Sequence, residues 1–171
     1  MMNRATLIAL ALALLCPGLA RAELLFNISA GPAVPTGRGE VRRFGAGATI
    51  GFALHLPKPD LVGLKVRRFH YGGLARAMTS ALAFYRWRVP ADDRLGAFLS
   101  LEGGFGLFSG CVENGACDAM GASLGAEAGV SVPVMGRLKL EIAFEPIVQI
   151  GMPGGAGVLV MPSLLLGIAA W

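Results

Sequence analysis

Seven charged residues of this 171-residue chain have the types and spacing that could do chemistry: Lys65, Arg67, Glu102, Glu127, Lys139, Glu141 and Glu145. Each alternates with apolar neighbours, so each falls on the minority polar face of a segment with period two. Carboxylates held close together can divide general acid and general base roles. A hydrolase would also need a nucleophile beside a base that is itself oriented. His55 and His70 lie in separate segments, and Ser80 is the only serine that a hairpin would bring near His70. The simpler reading is mutual pairing of the seven charges, with Arg86 or Arg88 joining them. A proton or ion path, or a small-ligand cavity, is the sharper alternative. No cofactor or metal is expected.

Cys111 and Cys117 are the second candidate pair. Their C-x5-C spacing lacks the paired arrangement of a zinc site. With Glu113-Asn114-Gly115 as a three-residue hairpin loop, Gly115 takes the left-handed position and Cys111 falls opposite Cys117. Cross-strand partners can lie close enough to bridge, so a loop-tip disulfide is expected.

The elements that carry these residues read as strands. From Met120 to Val132, the even positions Met120, Ala122, Leu124, Ala126, Ala128, Val130 and Val132 are apolar, and the odd positions are glycine, serine or glutamate. From Leu138 to Ile150 the same alternation sets Leu138, Leu140, Ile142, Phe144 and Val148 against Lys139, Glu141, Glu145 and Gln149. Thirteen residues is long for a strand of a globular domain, and charges in a row suit the inside of a barrel whose outside meets lipid. Six further segments are predicted as strands: Leu24 to Val34, Phe44 to Leu56, Leu61 to Tyr71, Ala75 to Val89, Leu95 to Phe108 and Val158 to Trp171. In the third, Phe69 and Tyr71 lie on the same parity as Lys65 and Arg67, and a bulge near Arg68 is expected to correct this. Tyr85 and Trp87 read as an interfacial aromatic pair. The fold expected is all-β: an eight-stranded antiparallel up-and-down transmembrane barrel.

Length and composition agree. Arg4, the apolar run Ala5 to Leu15, the breakers Pro17 and Gly18, and Ala20-Arg21-Ala22 have the form of a secretory signal cleaved before Glu23. Leu15 before Cys16 and Pro17 after it argue against a lipid anchor. Removing residues 1–22 from the 171 leaves 149 for one barrel domain, 23–171, and the formal charge of +4 falls to +2 with the loss of Arg4 and Arg21. That charge implies no nucleic-acid partner. High apolar content without an uninterrupted apolar helix fits strands that cross a bilayer.

With the first strand starting at the periplasm, the polar loops Pro35 to Arg43 and Ser109 to Asp118 fall outside. The tight turn at Pro57-Lys58-Pro59-Asp60, the turn at Pro90 to Asp93 and the turn Pro133 to Gly136 fall on the periplasmic side. These features together resemble the small eight-stranded outer-membrane barrels of the OmpA/OmpX-like superfamily over residues 23–171. The resemblance implies residence in the outer membrane of a Gram-negative envelope, with porin-like alternation in a barrel too narrow for a wide channel. It also implies that Trp171 stands where the assembly machinery reads a terminal aromatic residue. Outer-membrane lipid and lipopolysaccharide are the expected partners, with Arg38, Arg42 and Arg43 at the level of anionic head groups; the identity of an external partner is not encoded. A structural or surface-interaction role is the first reading. A barrel enzyme acting on lipid A or phospholipid, and a soluble periplasmic ligand-binding barrel, are the alternatives.

Overall fold

The computed structural model describes residues 24–34, 36, 45–55, 60–71, 77–89, 95–111, 117–152 and 157–170. These form eight strands: β1 Leu24–Ala33, β2 Gly45–His55, β3 Leu61–Tyr71, β4 Ala77–Val89, β5 Gly96–Cys111, β6 Cys117–Met135, β7 Leu138–Met152 and β8 Gly157–Ala170. Each pairs antiparallel with its neighbours in sequence, and β8 pairs with β1 to close the barrel. The end of the barrel at which β1 starts, β8 finishes and β6 turns into β7 is called here the terminal end. The opposite end, where β1 finishes and β8 starts, is called the loop end.

The two faces are inverted relative to a soluble protein. Leu64, Phe105 and Met120 are 67%, 68% and 71% exposed on the outside, whereas Arg67, Glu145 and Gln149 are 0%, 0% and 1% exposed inside. Closure satisfies the backbone groups that an open sheet edge would leave bare, which a bilayer does not tolerate. The faces are those of the transmembrane reading, and the soluble ligand-binding reading, with its apolar lumen and charged coat, has them reversed.

Three local expectations are corrected. β3 has no bulge: its register with β2 runs unbroken from Leu61 opposite His55 to Tyr71 opposite Gly45. Phe69 therefore points inward, fully buried, and Arg68 points outward. The β5–β6 hairpin is longer than expected, because Ser109 to Cys111 and Cys117 to Asp118 belong to the strands rather than to a loop. Pro133 is part of β6, tolerated where the register slips between Pro133 and Met135. The turn is then Gly136-Arg137, with Gly136 at φ 57° supplying the positive φ that a two-residue hairpin turn needs.

Pro162 likewise does not interrupt β8; it faces Pro146 of β7 in register. Residues 1–22, Arg38, Arg42, Arg43 and Trp171 lie outside the described residues. Of the Pro35 to Arg43 loop, Thr36 forms an antiparallel bridge with Val160, extending the β1–β8 seam.

Candidate functional site

Six consecutive strands, β3 to β8, send polar side chains into one cluster at mid-barrel. Lys65 of β3 stands at its centre. Its Nζ pairs with Glu102 of β5, with Glu145 Oε1 of β7 at 2.6 Å and with Glu127 Oε2 of β6 at 3.3 Å. Arg67 Nη1 meets Glu145 Oε2 at 2.9 Å, and its Nη2 donates to Ser163 Oγ on β8. Arg86 of β4 spans the other side, with Nη2 at 2.8 Å from Glu127 Oε2, Nη1 at 3.1 Å from Glu141 Oε2 and Nε donating to Ser100 Oγ at 3.0 Å. Ser100 donates onward to Glu127.

Glu102, Glu127 and Glu145 present oxygens within 4.8 Å of one another, the geometry of a cation cage. The Lys65 ammonium already touches all three. A metal ion would have to displace it, so the cage serves an internal cation. Each of the three carboxylates faces the Lys65 ammonium, which carries no lone pair for nucleophilic attack.

The cations also rest on aromatic faces, and glycines make the space. Arg67 lies 4.0 Å from the centroid of Phe69 and Arg86 lies 4.0 Å from that of Phe98. Lys65 sits 5.9 Å over Phe84. Each ring has a glycine as its direct ladder partner: Phe69 opposite Gly47, Phe84 opposite Gly63 and Phe98 opposite Gly129. A Cβ on Gly47, Gly63 or Gly129 would stand 2.6, 2.8 or 2.5 Å from that ring. Each glycine thus leaves room for a ring to lie across the ladder, and a cation stacks on it.

Apolar side chains fill the lumen on either side. Toward the loop end come Phe69, Met78, Phe108 and Met161, and toward the terminal end Leu25, Ala53, Leu61 and Phe84. Between the cluster and the loop end, Ser123 donates to Gln149, whose Nε2 reaches the Gly106 carbonyl oxygen.

Of the seven residues singled out from sequence, six meet in this cluster. Lys139 is the seventh and stays at its edge, half-buried toward the terminal end with Arg88 and Glu141 as charged neighbours. Arg86, rather than Arg88, completes the centre. Sequence pattern missed Met78, Phe84 and Met161 as lumen residues, because β4 and β8 carry apolar residues on both faces and so show little alternation.

Cys111 and Cys117 are ladder partners in the β5–β6 hairpin. A register shift between Phe108 and Cys111 includes Gly110 at φ 129°, a value that glycine accommodates. His70 faces outward on β3, beside Arg68, so no histidine joins the lumen serines among the described side chains.

The sequence matches no protein-family model and no curated protein. The fold has clear likenesses among solved structures. Neisserial surface protein A superposes with a TM-score of 0.73 at 14% identity, over 87% of this chain and 97% of that one. The outer membrane enzyme PagL gives 0.62 at 11% identity, over 82% and 97%. The attachment invasion locus protein Ail of Yersinia pestis, solved with the heparin analogue sucrose octasulfate, gives 0.52 at 13% identity, over 86% and 97%. The chain has the fold of the small eight-stranded outer-membrane barrels.

Proposed function

We propose that the protein is an integral outer-membrane barrel with a structural or surface-contact role and a lumen that does not conduct. The ion-paired, aromatic-stacked cluster of Lys65, Arg67, Arg86, Glu102, Glu127, Glu141 and Glu145 carries this reading. With Ser163 of β8 it links six strands through the middle of a barrel whose exterior is apolar, and an eight-stranded interior is just wide enough for side chains to fill. On this reading the chain is exported with loss of residues 1–22 and assembled through Trp171. The loop end then faces outward, where Arg38, Arg42 and Arg43 meet anionic lipopolysaccharide and the longer connections meet whatever the cell encounters. In planar bilayers the purified protein is expected to give no steady unitary conductance. A stable pore of reproducible size would replace this reading with a channel.

A further inference from the structure

Among the described residues of the strands, one cation stands on the outer side of the barrel wall. Arg68 is exposed on the lipid-facing side of β3, in line with exposed Val62, Leu64 and Val66. Its ladder partners are small, Ala48 on β2 and Thr79 on β4, and the next outward pairs at His70 are Ala46 and Ala77. Ala46 and Ala48 are exposed and leave the β2 side of Arg68 uncrowded, whereas Ala77 is buried. Arg68 Nε donates to His70 Nε2 at 3.2 Å, and Nη1 donates to Thr79 Oγ1 at 3.4 Å. Among the described residues no carboxylate pairs with Arg68, and Nη2 has no hydrogen-bond partner. A guanidinium so placed in hydrocarbon would be costly, and at the interface it would select an anion.

Its height can be read from β4. Trp87 packs edge-on against Tyr85, with ring centroids 4.7 Å apart, and Tyr85 donates to Asp60 Oδ2 at 2.7 Å, on the half of β4 nearer the terminal end. From exposed Val89 at that end to Thr79 is ten residues. At about 3.3 Å per residue and a tilt of roughly 40°, that spans about 25 Å, the height of a lipid-facing apolar band. Thr79, two residues into β4, and its partner Arg68, three residues before the end of β3, therefore lie near the loop end of that band.

From this we infer that Arg68, held by His70 and Thr79, binds the phosphate of a membrane lipid headgroup whose acyl chains run down the wall past Val66, Ile50 and Ala81. A planar fork of donors suits a phosphate oxygen edge, and the exposed Ala46 and Ala48 leave room for the headgroup on the β2 side. The inference rests on the membrane placement proposed above, and not on the closed lumen or the loops.

The test uses the full mature chain inserted into phosphatidylcholine vesicles with and without phosphatidic acid as the phosphate-monoester probe. Insertion of each variant is checked first, so that failure to insert, which would overturn the membrane placement and this site with it, is distinct from loss of headgroup selectivity. After detergent extraction, native mass spectrometry counts retained lipid. The native chain should retain phosphatidic acid over phosphatidylcholine. Arg68→Gln should weaken that retention about tenfold, the loss of one charge-assisted contact. Thr79→Val should weaken it less, and Arg137→Gln at the opposite end should leave it unchanged. Equal retention by native chain and Arg68→Gln would overturn the site. Displacement by inorganic phosphate at concentrations equal to the lipid's would overturn the assignment to a lipid.

Discussion

At the scale of single residues, burial separates charges that sequence pattern treats alike. Lys139 and Arg86 both sit on inward parity, but Arg86 is 1% exposed and bonded to Glu127, Glu141 and Ser100, while Lys139 is half-buried near the terminal end. Arg86→Met should cost on the order of 3 to 5 kcal/mol, because it strands buried carboxylates. Lys139→Glu should cost less than about 1 kcal/mol, since water screens a rim charge. Urea unfolding in lipid vesicles, followed by tryptophan fluorescence, measures both; similar losses would mean that the lumen is wet throughout. Glycines divide in the same way. Gly129→Ala sets a Cβ against the Phe98 ring and 2.6 Å from the Ile142 carbonyl oxygen, so it should destabilise by about 1 to 3 kcal/mol. Gly103→Ala meets nothing nearer than Leu124 Cδ2 at 3.6 Å. It should be neutral or stabilise by up to about 1 kcal/mol, by narrowing the unfolded ensemble. The reverse order would show that Phe98 is free to move.

At the scale of elements, the facing of β6 and β7 is legible, because, Ile147 apart, their inward positions are polar or small and their outward ones apolar. In β3 the same rule extends to Phe69. An aromatic residue on the charged parity suggested a bulge, when in fact the ring belongs inside under the Arg67 guanidinium, a contact that strand pattern does not encode. β4 inverts the usual signal, with Met78, Leu82 and Phe84 inward against Ala81 and Ala83 outward. β8 is apolar on both sides, so its facing follows only from its register with β7. Strand ends were less legible still: β5 and β6 run past the predicted loop boundary as far as Cys111 and Cys117. That extension makes the two cysteines ladder partners, and a disulfide between them is expected to add on the order of 2 kcal/mol from so short a loop. Mass spectrometry of the non-reduced protein should find a two-proton deficit in the peptide that holds both; two alkylatable thiols would refute the bridge. On the outer face of β6, Leu124→Arg should cost about 2 to 4 kcal/mol if that side chain meets lipid near mid-membrane.

At the scale of the whole molecule, the barrel turns the usual arrangement inside out. The cluster of Lys65, Arg67, Arg86 and four glutamates is central in the structure but scattered over five segments of sequence, so its members were recognisable one at a time while their mutual distances were not. Those distances depend on barrel closure and on the stagger between strands, properties that no single strand carries. The central claim is that this inverted barrel lives in a membrane, and fractionation of cells expressing the mature chain tests it most directly. After carbonate washing the protein should remain with outer-membrane fragments and should migrate faster on a gel when unheated than when boiled. Recovery from the soluble periplasmic fraction without detergent would contradict the account.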